Sequence, residues 1–316
     1  MKTMNRRLFV QTTMAGLGVK MLQPMANSAE KEKMIPIVDT HQHLWDLTKF
    51  KLPWITKDSP LGKSFVLGDY ADATKGLNVT KSIYMEVDVA EDQQTQEVDY
   101  VTDICKSRKS TMVAAVVSGR PASSNFAKYL DYFKGNNYIK GIRQVLHVPA
   151  TPPGFCNQAD FVKGIRLLGQ RNLSFDLCVR GTDLEHTAKL VDSCPDTRFI
   201  LDHCGNPDLK NKNHDEWKKG LALVAAKKNV VVKVSGFIAS TTVGAWKVED
   251  LAPIINHTLD SFGPDRVMFG GDWPVCTLAA TYKEWLTSLQ QVVQARSEQD
   301  RRKLFHDNAV RFYGIA

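Results

Sequence analysis

The sequence of 316 residues lacks several patterns that would fix a function class at once. It has no Cys-x-x-Cys pair, so we predict no zinc cluster, and a chain this long buries enough surface to fold without obligatory disulfides. No cluster of lysine and arginine with interleaved aromatic residues appears, which argues against nucleic acid as a partner. No low-complexity linker or internal repeat interrupts residues 34–316. The six cysteines are scattered singly, at Cys105, Cys156, Cys178, Cys194, Cys204 and Cys276.

Acidic residues are absent from the first 28 positions, which contain the pair Arg6-Arg7. The run that follows, residues 8–22, is only moderately apolar, contains Lys20 and is too short for a membrane span, which needs about 20 apolar residues. With the small residues at 26–28, it predicts a twin-arginine signal over 1–28, recognised by the export machinery, and a periplasmic enzyme from 29–316. The alternative is a cytoplasmic protein with a basic arm. Of the formal charge of +7, about +3 remains without the signal, which is ordinary.

Short β-branched runs alternate with amphipathic segments along the rest of the chain. The predicted strands are 35–40, 79–87, 111–117, 139–143, 174–179, 198–203, 230–235 and 266–271. The predicted helices include 93–109, 159–171, 184–193, 216–228, 252–262 and 282–294. Eight such units indicate a single-domain (β/α)8 TIM barrel. A doubly wound open sheet is the alternative, but it would need a Gly-rich phosphate turn after the first strand, and His41-Gln42-His43 occupies that place.

The two histidines of this His-Gln-His segment lie two residues apart on an extended chain. They therefore face the same way, about 6.6 Å apart along the strand, and can share one cation. The alternative is a pair of surface histidines in a turn. In a TIM barrel the carboxyl ends of all strands meet at one rim, where the active site forms. The ionisable or polar residues at these ends are His41, His43, Glu86, Asp88, Arg120, Arg143, Asp176, Asp202, His203, Lys233, Ser235 and Asp272.

Several of these strand ends lie in motifs that resemble one known family. The sequence resembles the amidohydrolase-related family, and within it the branch of L-fuconolactonase, L-rhamnonolactonase and pyrone-lactone hydrolases. The resemblance runs from about residue 35 to the C-terminus. It rests on His-Gln-His at 41–43, Gly-Ile-Arg-Gln at 141–144, Leu-Asp-His-Cys-Gly-Asn-Pro at 201–207, Val-Lys-Val-Ser-Gly at 232–236, Arg-Val-Met-Phe-Gly-Gly-Asp-Trp-Pro at 266–274 and Asn-Ala-Val-Arg-Phe-Tyr-Gly at 308–314.

The resemblance implies a catalytic barrel with His41, His43, His203 and Asp272 around one divalent ion, or around the bare substrate carbonyl. Three imidazoles and one carboxylate make a zinc-like ligand set. Members of this branch differ in metal use, so a zinc ion and no metal are both retained. A binuclear centre is not expected, because Arg143 and either Asp176 or Cys178 stand where it would have a bridging lysine and a histidine. Purely structural roles remain open for two of these residues: His203 could be a core histidine, and Asp272 could cap a helix.

We therefore predict a hydrolase that opens a small lactone, in which Asp272 activates water beside His203. The substrate is predicted to be a neutral sugar lactone, because mixed donors and acceptors suit hydroxyl groups. Competing hypotheses are a decarboxylase, a C–N hydrolase and a non-enzymatic binding barrel. The remaining histidines, His186, His214, His257 and His306, are interpreted as surface residues. The substrate-binding candidates are Glu86, Arg143, His147, Lys233, Trp45 and Trp273, of which Glu86, Arg143 and Lys233 could instead pair inside the barrel and both tryptophans could simply pack.

Overall fold

The computed structural model describes residues 34–210 and 213–315. The predicted export signal therefore lies outside the described residues. Eight strands form one parallel sheet in sequential order, and each is hydrogen-bonded to the next along the chain. The strands are β1 Ile37–Gln42, β2 Val79–Met85, β3 Met112–Ser118, β4 Ile139–Val145, β5 Ser174–Cys178, β6 Arg198–Leu201, β7 Val230–Val234 and β8 Val267–Phe269.

Helices cross between successive strands and cover the outside of the sheet. They are α1 Leu67–Ala73, α2 Gln94–Ser107, α3 Phe126–Tyr132, α4 Ala159–Gln170, α5 Leu184–Ser193, α6 Asp215–Ala225, α7 Val248–Phe262 and α8 Tyr282–Val292, followed by α9 Glu298–Arg302 and α10 Asn308–Tyr313. The predicted (β/α)8 barrel is confirmed. Among the residues described, none of the helices combines the length and apolar character that a membrane span requires.

The first and last strands approach each other at the rim of the barrel. The amide of His43 donates to the carbonyl of Trp273 at 2.8 Å, and the amide of Asp272 donates to the carbonyl of His41 at 2.7 Å. Below them, the Thr40 hydroxyl donates to the Phe269 carbonyl at 2.6 Å. The hydrogen bonds that bring the barrel ends together therefore also hold three predicted site residues side by side.

Strand β1 begins and ends two residues later than the sequence predicted. His41 lies inside the strand, and His43 follows it directly. Asp39, a fully buried carboxylate within β1, anchors the strand. Asp39 accepts hydrogen bonds from the amides of His41 and Gly271 and from the hydroxyls of Tyr70 and Tyr282.

The lower half of the barrel interior is apolar and is closed by the C-terminal segment. Tyr313 and Ile315 from the end of the chain are buried against inward-facing side chains of the strands. These side chains are Val38, Ile83, Met85, Ala114, Val116, Ile200 and Met268. The interior is thus a packed core at the amino-terminal ends of the strands, and the polar residues are collected at the other end.

Candidate active site

Asp272, His41 and His43 converge at the carboxyl ends of β8 and β1. Asp272 Oδ1 lies 3.2 Å from His43 Nε2 and 3.4 Å from His41 Nε2. All three side chains are almost completely buried. Burial alone would raise the pKa of Asp272, but the neighbouring His203, His43 and His41 outweigh it and lower the pKa to about 2. The carboxylate is therefore ionised at neutral pH.

The protons of the two histidines can be assigned from their other contacts. His43 Nδ1 lies 3.0 Å from the carbonyl oxygens of both Met85 and Glu86, so this nitrogen carries a proton and donates it. The guanidinium of Arg143 donates to His41 Nε2 at 3.2 Å, so that nitrogen accepts. Burial lowers the pKa of His41 well below its usual value, which keeps the ring neutral.

The positions of the protons on the two histidines determine which of their nitrogen atoms could bind a metal ion. The unprotonated Nε2 atoms of His41 and His43 and the charged Oδ1 of Asp272 are all electron-pair donors. Donors only 3.2–3.4 Å apart repel one another unless a cation, either a proton on His43 or a metal ion, lies between them. In a tetrahedral zinc site with bonds of about 2.0–2.1 Å, ligand atoms lie about 3.4 Å apart. The donor types and their spacing fit one divalent ion once His41 Nε2 gives up the hydrogen bond from Arg143 Nη1, because one lone pair cannot serve both.

His203 lies beside this triad, after β6. Its ring centroid is 4.5 Å from that of His41, and its Nδ1 is 3.0 Å from the Ser235 hydroxyl oxygen, which leaves Nε2 for another partner. His203 and Asp272 both have positive φ, 55° and 54°, a conformation that non-glycine residues rarely adopt. A Cβ on Gly236 would collide with the His203 ring, so glycine is needed at that position. Such backbone strain is typical of functional sites.

Arg143 is held by two carboxylates in the barrel interior. Its Nε lies 2.6 Å from Glu86 Oε1, and its Nη1 lies 3.3 Å from Asp202 Oδ2. Glu86 also accepts hydrogen bonds from the Ser118 hydroxyl and the Asp88 amide. Burial would raise the pKa of Glu86, but Arg143 and these donors lower it. Glu86 and Arg143 therefore pair inside the barrel, which is one of the two roles that the sequence left open for them. Glu86 is fully buried and lines neither of the two cavities at the rim, which are described below, whereas Arg143 lines one of them.

Lys233 is also paired within the barrel rather than presented to a substrate. Its Nζ lies 2.5 Å from Asp176 Oδ2 and 3.3 Å from Asp202 Oδ1, and all three side chains are fully buried. The predicted substrate-binding role of Lys233 is therefore not supported by its position. Asp202 in turn lies 3.5 Å from His41 Nδ1. Asp202 therefore links the charged Lys233 to His41, the histidine that lies against Asp272.

Two cavities meet at the rim and share His147, His203, Asp272 and Val275. The larger, about 590 Å³, has more apolar than polar lining surface but includes Arg180 and Asn206. It also includes His214, which the sequence placed on the surface. The smaller, about 200 Å³, is lined mainly by apolar and aromatic side chains. These include Trp45, Trp54, Val87, Val145, Val148 and Cys178, together with His43, Asp88 and Arg143.

The two tryptophans predicted to contact the substrate differ in position. Trp45 borders the smaller cavity, although its ring is buried against Phe65 and Trp54. Trp273 lines neither rim cavity and packs edge-on against Phe65 and Tyr70, so its predicted substrate contact is replaced by packing. Trp54, which was not selected from the sequence, is 41% exposed at the cavity and donates to the Val87 carbonyl.

Nearly the whole chain is similar to known proteins in sequence and in fold. The sequence pattern that defines the amidohydrolase family matches residues 38–315. The chain belongs to the amidohydrolase family. This confirms the resemblance seen in the motifs. The match covers all eight strands and every residue of the site described above.

Members of this family with assigned names are similar over nearly the whole chain. An L-fucono-1,5-lactonase of Burkholderia multivorans is 28% identical over 294 residues, covering 88% of this chain and 96% of the relative. An L-rhamnono-gamma-lactonase of Scheffersomyces stipitis is 21% identical over 336 residues, covering 88% and 98%. The crystal structure of a Burkholderia multivorans amidohydrolase with bound zinc superposes with a TM-score of 0.79 at 25% identity, covering 89% and 100%.

Proposed function

We propose that this amidohydrolase opens the ester ring of a neutral, polyhydroxylated lactone, and that Asp272 activates the attacking water. The observation that supports this proposal is an ionised carboxylate held 3.2 and 3.4 Å from two histidine nitrogens at the base of an open cavity. An acyl-transfer site needs a proton acceptor beside the reacting carbonyl. Asp272 meets that need, and the lactonase relatives support the same reaction class.

In this mechanism Asp272 removes the proton from water as it attacks the lactone carbonyl. The carboxylic acid then returns the proton to the ring oxygen that leaves as an alkoxide. His203 and Arg143 line the same cavity as Asp272, so they can reach the carbonyl oxygen on which negative charge develops. Asp202 keeps the neutral His41 oriented from behind.

The polarity of the cavities supports a neutral substrate. Binding a dicarboxylate would require arginines free to form two hydrogen bonds each with it. Arg143 is neutralised by Glu86 and Asp202, and Arg180 is bound to Asp183 at 2.7 Å. Arg120, the third candidate, is paired with Asp88 at 2.6 Å and lines neither rim cavity. The amide, imidazole and hydroxyl groups that remain suit sugar hydroxyls.

Steady-state kinetics on matched substrates test this assignment. We expect kcat/KM for L-fuconolactone or L-rhamnonolactone to exceed that for a pyrone dicarboxylate by at least about tenfold. Sugar amides and aromatic carboxylic acids should give no turnover above background. Faster hydrolysis of the pyrone dicarboxylate would overturn the neutral-substrate proposal, and release of carbon dioxide from an aromatic acid would overturn the reaction class.

We also propose that His41, His43, His203 and Asp272 hold one zinc ion, which would polarise the lactone carbonyl when bound. Elemental analysis of the protein purified without added metal tests this directly. We expect about one zinc per chain, reduced to a small fraction in His43→Asn and unchanged in the control variant His306→Asn. Zinc content that does not respond to His43→Asn, or protein that is fully active and metal-free, would contradict the zinc proposal while leaving the lactonase assignment standing.

A further inference from the structure

A second large cleft, which we name the basal cleft, lies at the opposite end of the barrel from the active site. It encloses about 920 Å³ where the amino-terminal ends of β4, β5 and β6 meet the C-terminal helix α10. The mechanism proposed above uses none of its residues.

The charge of the basal cleft has one sign. Five basic side chains line it, and no aspartate or glutamate is among its lining residues in the described part of the chain. Different elements contribute these residues: Lys140 is the second residue of β4, Arg171 precedes β5, and Arg198 begins β6. Lys134 and Arg311 complete the set. Because the basic residues come from separate elements, the fold itself gathers the charge into one place.

Most of this positive charge is not neutralised by carboxylates. Arg198 donates to the main-chain carbonyls of Phe312 and Asn172, at 2.8 and 3.3 Å, and lies over the Phe312 ring. Arg311 donates to the Asp265 carbonyl and to the Asn308 side-chain oxygen. These neutral acceptors fix each guanidinium in place without cancelling its charge.

The other members of the set are similarly placed. Arg171 pairs with Asp131 at 2.6 Å. Among the described residues, this is the only ion pair within 4 Å that any of the five basic residues of the cleft makes. Lys140 and Arg198 line the cleft together, and burial and the nearby charge of Arg198 lower the pKa of Lys140. Crowded cations raise the free energy of the empty cleft, and an anion with several charges would relieve that repulsion.

We propose that the basal cleft is a second ligand site and that it binds a small oligophosphate anion. Phosphate groups carry a high charge and several acceptor oxygens, which match fixed guanidinium groups. Several linked phosphates can contact more of the five basic residues at once than a single phosphate can. The amide side chains of Asn136, Asn137 and Gln170 supply further donors at its edge. This proposal is independent of the lactonase assignment.

Calorimetric titration of the protein with inorganic triphosphate tests the proposal. We expect one site per chain, with an affinity that weakens as salt is raised. Lys140→Gln and Arg171→Gln should each weaken binding by at least about fivefold. Lys189→Gln removes the same charge from an exposed position on α5 and should leave binding unchanged. Citrate, a carboxylate of comparable charge, should bind more weakly than triphosphate.

Lysine acetylation of the unmodified protein gives a second measurement that does not depend on variants folding. Triphosphate should slow acetylation of Lys134 and Lys140, read by mass spectrometry, and should not slow that of Lys189. Three results would each overturn the proposal. These are the absence of saturable binding at low salt, an equal loss of affinity in Lys189→Gln, and tighter binding of citrate than of triphosphate.

Discussion

Replacing Asp272 with asparagine is expected to lower kcat for lactone hydrolysis by about a thousandfold. Asparagine has nearly the same shape but cannot take a proton from water or return it to the leaving alkoxide. It also removes the negative charge that lies 3.2 and 3.4 Å from the two histidine nitrogens. The measurement is initial-rate kinetics with a sugar lactone, corrected for spontaneous ring opening.

A matched control separates lost chemistry from lost structure. Asp192→Asn makes the same change at an exposed carboxylate that pairs with Lys227, and it should keep activity within about twofold of the unmodified protein. The circular dichroism spectrum of Asp272→Asn should show the fold intact. If Asp272→Asn kept near-normal turnover, Asp272 could not be the group that activates water.

Replacing Lys233 with methionine is expected to destabilise the protein by about 3–5 kcal/mol. Methionine has a similar volume, so the loss comes from charge rather than packing. Without the ammonium group, Asp176 and Asp202 remain fully buried with no cation between them. Their nearest remaining positive charge would be Arg143, which Glu86 already neutralises at 2.6 Å. Urea denaturation at pH 8 measures the change in the free energy of unfolding.

The size of this loss should depend on pH in a defined direction. Burial raises the pKa of Asp176 to about 7 even when Lys233 is present, and Asp176 lies near the charged Asp202. The paired aspartates raise the pKa of Lys233, so its stabilising contribution is complete at pH 8 and is lost only at much more alkaline pH.

At pH 5, protonation of Asp176 should relieve part of the repulsion in Lys233→Met, and the difference from the unmodified protein should shrink. Lys227→Met removes a lysine from the surface pair with Asp192 and should cost no more than about 1 kcal/mol at either pH. Equal losses in the two variants would show that the charges around Lys233 are not coupled as described.

The sequence was sufficient to predict the barrel and the residues that meet at its rim. Most of the strands contain β-branched residues, and polar residues lie at or just after their carboxyl ends, which parallel strands bring together. The His-x-His spacing placed both imidazoles on one face, and the paired glycines before Asp272 indicated close approach. The structure supports that reading, since a Cβ on Gly270 would lie 2.7 Å from the His41 Cβ.

The sequence could not show which of these polar residues face the substrate and which face one another. Arg143 and Glu86 are 57 positions apart, as are Lys233 and Asp176, and their pairing depends on how the strands are staggered around the barrel. Single-chain periodicity carries no information about that stagger. The role of Asp39 as the anchor of β1 was hidden for the same reason, since its tyrosine partners come from α1 and α8.

The measurement that most directly tests the central claim is hydrolysis of the sugar lactone in water enriched in oxygen-18. If water attacks the lactone carbonyl, mass spectrometry of the product will find one labelled oxygen in the carboxylate and none in the ring hydroxyl. This labelled product should form at the enzymatic rate with the unmodified protein and about a thousandfold more slowly with Asp272→Asn. Label in the hydroxyl group, or equal rates with the two proteins, would contradict Asp272-assisted hydrolysis of the lactone.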